Sequence, residues 1–152
     1  MNKHKVLFVV FLFCIGGLAA HSQSSPIVVE IKPTQTVVKD NETFSVSTTL
    51  RNRSSEVQVL GVMSCSYPAQ WAVDNLSVYM SQVSCLRNVL SRIILKPGEA
   101  YERTLSVHVE LASGKGQLES VTFRLGFQDE NPLTVPKAPR IWSNAVTVSV
   151  TR

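Results

Sequence analysis

The sequence predicts an all-β protein, a single antiparallel β-sandwich of about seven to eight strands. Short runs rich in β-branched residues alternate between apolar and polar positions, which is typical of strands with one buried and one solvated face. Turn residues separate these runs at fairly regular spacing, and no stretch has the pattern of an amphipathic helix. This combination is the pattern of an antiparallel β-sandwich.

The predicted strands follow one another closely along the chain. In order they cover residues 27–31, 36–38, 44–50, 57–63, 89–95, 101–111, 121–127 and 141–150. The second is a short edge piece, whereas 57–63 is apolar at nearly every position, as expected of a central strand. Pro97 and Gly98 predict a turn at 96–99, because proline presets φ and glycine accepts φ > 0. The last strand is predicted to bury Trp142, Val146, Val148 and Val150 on one parity.

The amino terminus has the pattern of a cleaved signal peptide. Lys3 and Lys5 precede an apolar run over 6–18 that is too short to span a bilayer, and small residues follow it. Cleavage after Ser22 divides the chain into a signal peptide, 1–22, and a domain, 23–152, which we expect not to insert into a membrane. An uncleaved anchor is the less favoured alternative. Losing two lysines lowers the formal net charge from +4 to +2.

Cleavage also removes Cys14, which leaves Cys65 and Cys85 as an even pair in an exported protein. Such a pair predicts a disulfide rather than a metal site or a redox pair, which needs closer spacing. The enclosed segment 66–84 lacks sustained alternation, so we expect a long connection with one short strand near 76–80. The disulfide would hold this connection in place.

Two motifs stand out along the predicted strands: an L-x-P-G-E turn at 95–99 before an alternating strand, and F-x-x-x-F at 123–127 followed by W-S-N at 142–144. They resemble those of exported bacterial proteins with an immunoglobulin-like or fibronectin-like sandwich. The resemblance implies an immunoglobulin-like fold for most of 27–151. The chain departs from the antibody type, because its cysteines are close in sequence and phenylalanines replace the expected tyrosine. The turn also resembles bacterial protease inhibitors on immunoglobulin-like scaffolds.

Groups that would carry catalysis are sparse in the predicted mature chain. His108 is its one histidine and is expected on the wet face of a strand, so no Ser-His-Asp arrangement can be built. Acidic residues sit mostly beside turns, and Asp129-Glu130 is the one adjacent pair. We therefore expect no enzymatic activity, no cofactor and no metal site. The scattered Lys and Arg residues also argue against nucleic-acid binding.

Three aromatic residues between the cysteines, Tyr67, Trp71 and Tyr79, are the candidates for binding. The alternative for Trp71 is that it folds back and caps the core. The leading hypothesis is an exported, non-enzymatic protein-binding or structural module of the cell envelope, located in the periplasm, on the cell surface or outside the cell. One alternative is a protease inhibitor using the loop at 66–84 or the proline-rich loop at 129–140. A second is a carbohydrate-binding module using Trp71 and Tyr79.

Overall fold

The computed structural model describes residues 25–81, 85–111, 118–131 and 139–152; the predicted signal peptide lies outside these ranges. Within them the strands are β1 (Ile27–Pro33), β2 (Val37–Lys39), β3 (Thr43–Asn52), β4 (Gln58–Met63), β5 (Trp71–Val73), β6 (Val78–Met80), β7 (Leu90–Leu95), β8 (Ala100–Val109), β9 (Leu118–Phe123), β10 (Leu125–Phe127), β11 (Ile141–Trp142) and β12 (Val146–Thr151). A single 3₁₀ turn, Tyr67–Gln70, accompanies them. No helix among the described residues is long and apolar enough to cross a membrane.

One layer of the sandwich is a four-stranded antiparallel sheet in the order β1-β3-β8-β6. Strand β3 buries alternate residues and leaves the residues between them partly accessible, as its sequence pattern predicts. Its buried set is Phe44, Val46, Thr48, Leu50 and Asn52. Their cross-strand partners in β8 include the buried Leu105 and Val107, and Val109 lies on the same face. The inner face of this sheet is therefore mostly apolar.

Three smaller ladders complete the same hydrophobic core, in the orders β2-β12-β9, β11-β10-β5 and β4-β7. The edge strand β2 pairs parallel with β12, and the other pairings are antiparallel. Phe44 of the first layer meets Phe123 of β9 edge to face, with ring centroids 6.4 Å apart. The prediction of an all-β sandwich is confirmed.

The predicted turn between β7 and β8 is also confirmed. Gly98 has φ of 80°, and the Glu99 N–H donates to the Lys96 carbonyl at 3.0 Å.

The strands of the described residues are more numerous than the sequence predicts, because two of the predicted strands are divided. The predicted strand 121–127 divides at Arg124, whose N–H donates to Asp74 Oδ1 at 2.7 Å instead of continuing a ladder. The predicted strand 141–150 divides at 143–145, where Ser143 turns inward and its Oγ accepts from the Leu125 N–H at 3.0 Å. Side-chain hydrogen bonds thus interrupt runs that alternate without a break in sequence.

The division at 143–145 corrects the expectation for Trp142. Val148 and Val150 are buried and Val146 is half-buried, but Trp142 is 40% exposed. The break removes the fixed phase between Trp142 and β12, so equal parity no longer means the same face. The Trp142 ring instead lies 5.5 Å from the Arg124 guanidinium on the surface.

Strand β4 is not a central strand, although its sequence is apolar at nearly every position. It pairs with β7 on one edge, and its other edge is covered by side chains and a loop. Gly61 N–H donates to Asp129 Oδ1 at 2.7 Å, and Gly61 O accepts from Gln70 Nε2 at 2.9 Å. A Cβ on Gly61 would lie 2.4 Å from the Asn131 backbone nitrogen, so glycine is required for this close approach.

Candidate binding surface

The predicted disulfide between Cys65 and Cys85 is confirmed, with the two Cα atoms 5.8 Å apart. It closes the base of the long connection between β4 and β7. Within this connection β5 joins β10 of one sheet and β6 joins β8 of the other. The sequence predicted β6 from the alternation at 76–80 but missed β5 and the 3₁₀ turn, because residues 67–73 show no such alternation. Pairing with β10 makes Trp71–Val73 a strand.

Tyr67 and Trp71 lie inside the core, where they are 3% and 6% exposed. Their rings meet edge to face at 5.7 Å, and the Trp71 ring lies 5.3 Å from Phe127. Trp71 therefore caps the core, in agreement with the alternative drawn from the sequence. Tyr79 is 49% exposed and lies beside the His108 ring at 6.5 Å. Of the three aromatic candidates, Tyr79 is the one whose ring a ligand can reach broadly.

Burial raises the pKa of the Tyr67 phenol to about 12, although its hydrogen bond with Thr48, at 3.3 Å, acts in the opposite direction. Because the unfolded phenol titrates near 10, the stability that neutral Tyr67 contributes is fully present below pH 10. It is lost as the pH rises from 10 towards 12, at about 1.4 kcal/mol per pH unit.

We expect Tyr67→Phe to remove this loss, since phenylalanine has no proton to release. Urea denaturation of both proteins at about pH 9 and pH 11 measures the effect. Between these pH values the unfolding free energy of the wild type should fall by about 1.4 kcal/mol more than that of the variant. Equal changes in the two proteins would contradict the assignment to Tyr67.

His108 is half-buried, and its Nδ1 lies 3.4 Å from Thr43 Oγ1. No carboxylate of the described residues forms a hydrogen bond with its ring, and a triad needs one to orient the imidazole. Asp129 accepts hydrogen bonds from the Gly61 and Asn131 N–H groups and thereby holds the loop against β4. Across the described ranges, no three His, Cys, Asp or Glu side chains are grouped closely enough for a metal ion.

The register of the β4–β7 ladder shows which backbone groups of β7 face outward. Ser64 and Val89 extend this register, and the Ser64 N–H donates to the Val89 carbonyl at 2.9 Å. Hydrogen-bonded and non-hydrogen-bonded pairs alternate in an antiparallel ladder, and Ser64–Val89 is a hydrogen-bonded pair. The pairs that Val59, Gly61 and Met63 form with β7 are therefore non-hydrogen-bonded. These three residues do bond away from β7, to Asn131, Asp129 and Gln70 side chains.

Their partners on β7 are Ile94, Arg92 and Leu90, whose N–H and C=O groups must point away from β4 by the same alternation. No other strand of the described chain pairs with this side of β7. We call the outward side of Leu90–Leu95, together with Val59, the β7 edge. It is an open row of backbone donors and acceptors of the kind to which a further strand can add.

Apolar side chains surround the β7 edge. Ile94 and Val59 are cross-strand partners on the outer face, 63% and 38% exposed. Leu86 and Val89 precede the strand and are 101% and 62% exposed. The sequence analysis missed this surface, because it predicted a strand at 89–95 without indicating which of its sides is covered. Arg92 at the centre of that segment is the signal that one face is solvated.

Three exposed cations lie along the same segment: Arg87, Arg92 and Lys96. Within the part of the chain that the structure describes, none of them forms an ion pair. Residues 85–98 contain no Asp or Glu. The acidic residues nearest to the edge are engaged in other contacts: Glu99 accepts from the Lys96 N–H at 2.8 Å, and Asp129 accepts from Gly61 N–H on the far side of β4. The three positive charges are therefore free to interact with a ligand.

The fold defines the chain as a β-sandwich protein in which no described strand pairs with the outward side of β7. No family model matches the chain, and no curated protein matches it. The β-sandwich fold class is confirmed by the strand pairings, and the resemblance to exported bacterial proteins with an immunoglobulin-like sandwich stays a prediction.

Solved structures with a similar arrangement are distant. The part of Escherichia coli alpha-2-macroglobulin from domain MG7 to the C-terminus has a TM-score of 0.46 at 10% identity, with 82% of this chain and 16% of that chain covered. The sporulation control protein Spo0M of Bacillus subtilis has a TM-score of 0.47 at 9% identity, covering 85% and 51%. This chain therefore spans about a sixth of the first and half of the second. Likenesses at this level assign no function.

Proposed function

We propose that this protein is an exported, non-enzymatic β-sandwich that binds another protein by adding one of its strands to the β7 edge. The observation that carries the proposal is the open edge itself. Leu90, Arg92 and Ile94 direct backbone groups outward, where no strand within the described ranges pairs with them, and exposed apolar side chains lie next to them. Strand addition uses the backbone groups for affinity and the neighbouring side chains for specificity.

Export is supported by the signal-peptide pattern over residues 1–22 and by the Cys65–Cys85 disulfide. Disulfides form and persist in oxidising compartments. Such a staple also suits a binding module outside the cytosol, because it links the ends of β4 and β7 independently of the partner. The absence of enzymatic activity is part of the proposal and rests on His108, whose ring contacts are Thr43 and Tyr79.

The carbohydrate-binding alternative is less favoured by the positions of its two aromatic residues. A sugar platform needs an accessible ring face, and Trp71 lies in the core. The inhibitor alternative is less favoured for the 66–84 loop, whose described part is held by strand pairing at β5 and β6. The other proposed loop, 129–140, lies largely outside the described residues.

Affinity capture of the full chain with a carboxyl-terminal tag tests the proposal. The tagged protein is expected in the envelope or culture fluid of the source cells, and a partner protein is expected to co-purify with it. Arg92→Pro should abolish the capture, because it removes an outward N–H and leaves the inward bonds of β7 to β4 intact. Circular dichroism and thermal unfolding verify that this variant is folded.

Two results would contradict the proposal. One is a tagged protein that stays in the cytosol. The other is a partner that co-purifies equally with wild type, with folded Arg92→Pro and with Ile94→Ser, a second variant that trims the apolar side chain and keeps the backbone.

A further inference from the structure

We propose that the strand received by the β7 edge carries an acidic side chain between two apolar ones. This inference rests on the proposed function and specifies the chemistry of the partner. It is drawn from the register of β7 and from the charge of the segment around it. The partner is an extended segment of another protein. A second copy of this chain is disfavoured, because its Arg92 would lie opposite Arg92 of the first copy.

The alternation of side chains along the edge sets the pattern that a partner must match. Leu90, Arg92 and Ile94 are two residues apart, so their side chains share the outer face of the ladder. Their outward backbone groups would also form the hydrogen bonds to an added strand. Each of the three therefore lies directly opposite one residue of that strand. Apolar residues match Leu90 and Ile94, and a carboxylate matches Arg92.

The surrounding charge points in the same direction. Arg87 precedes the edge and Lys96 follows it, and no acidic residue lies between them in sequence. Glu99 and Asp129 lie nearby, but their carboxylates accept from the Lys96 and Gly61 N–H groups, at 2.8 and 2.7 Å. An antiparallel pairing of two β7 strands centred on Arg92 would place two guanidinium groups opposite each other. Like charges in that position are destabilising, whereas an opposite pair is stabilising. The same arginine thus opposes self-association and selects an acidic strand.

A short peptide tests the chemistry without knowledge of the natural partner. The probe is a capped, fluorescently labelled peptide, Thr-Val-Thr-Glu-Thr-Val-Thr, whose symmetric pattern presents Glu to Arg92 in an antiparallel pairing. We expect saturable binding by fluorescence anisotropy. Replacing Glu by Lys in the peptide should weaken binding about tenfold, because an attractive pair becomes a repulsive one.

Backbone pairing is tested with N-methylated forms of the same peptide. Methyl groups on the Val and Glu nitrogens, which face β7, should abolish binding. Methyl groups on the intervening Thr nitrogens, which face away, should preserve it. Equal effects of the two forms would overturn the register that underlies the inference.

Charge reversal on the protein provides the reciprocal test. Arg92→Glu should prefer the Lys peptide to the Glu peptide by about tenfold, the inverse of wild type. Lys39→Glu is the matched control, because it reverses an exposed charge on a different edge strand, β2, and should leave both affinities unchanged. A reversal that Lys39→Glu reproduces would indicate net charge rather than the β7 edge and would overturn the inference.

Further outcomes separate this inference from the proposed function. Wild type could bind the Glu and Lys peptides equally, or neither, while Arg92→Pro still abolishes capture of a partner. That result would overturn the inference of an acidic partner strand and leave the proposed binding at the β7 edge intact. If sedimentation instead shows a concentration-dependent dimer that Arg92→Pro abolishes, the occupant is a second copy of the chain. That result also overturns the inference.

Discussion

Replacing Trp71 by alanine is expected to lower the free energy of unfolding by about 3–5 kcal/mol. The side chain is 6% exposed and packs between the rings of Tyr67 and Phe127, so its removal leaves a cavity that strand pairing at β5 prevents from closing. Urea denaturation followed by circular dichroism measures the change. A large loss would place Trp71 among the core residues energetically as well as geometrically.

Tyr79→Ala is the matched control, an aromatic truncation in the same disulfide-bounded segment. Because Tyr79 is 49% exposed, we expect a loss below about 1 kcal/mol. A Trp71→Ala variant as stable as Tyr79→Ala would show that the indole does not support the core. Trp71 would then again be a candidate binding residue.

Removing the disulfide with Cys65→Ser and Cys85→Ser is expected to cost about 3 kcal/mol. The bond closes a loop whose ends are 20 residues apart in sequence, and cross-linking restricts the unfolded chain more than the folded one. The loss should appear as a lower urea midpoint with a larger m-value, since an uncrosslinked chain exposes more surface on unfolding.

Reductant provides the internal control for this prediction. Treating the wild type should lower its midpoint to that of the double serine variant, and the same treatment should leave the variant unchanged. A wild type insensitive to complete reduction, verified by thiol titration, would mean that Asn88 and the β4–β7 ladder hold the segment without the covalent bond. Asn88 Oδ1 accepts from the N–H groups of Cys65 and Ser66, at 3.4 and 3.2 Å.

The sequence predicted the long alternating strands correctly because burial follows a period of two along β3 and along β8 from Leu105 onward. Strands β3 and β8 pair over most of their length, so each residue keeps the phase of its neighbours. The prediction failed where side chains replaced strand partners. Ser143 divides the last strand and leaves Trp142 on the surface, and the loop at Asp129 covers an edge of β4 that looked central.

The aromatic candidates illustrate the same limit. Spacing alone groups Tyr67, Trp71 and Tyr79 between two cysteines, but it does not state which sheet each one meets. In the structure β5 pairs with one sheet and β6 with the other. The rings of Tyr67 and Trp71 are buried, and that of Tyr79 is exposed. Burial of a short strand depends on its partner, and that partner is distant in the chain.

The sequence by itself determined the all-β class, most of the long strands, the turn at Gly98 and the pairing of Cys65 with Cys85. These features follow from local periodicity, from backbone preferences of single residues and from cysteine count. Only the tertiary structure decided which strand edge stays open. Whether β7 is covered depends on the pairing of strands far apart in sequence. Every strand carries the same backbone N–H and C=O groups, so the sequence of a strand does not show which of its edges is paired.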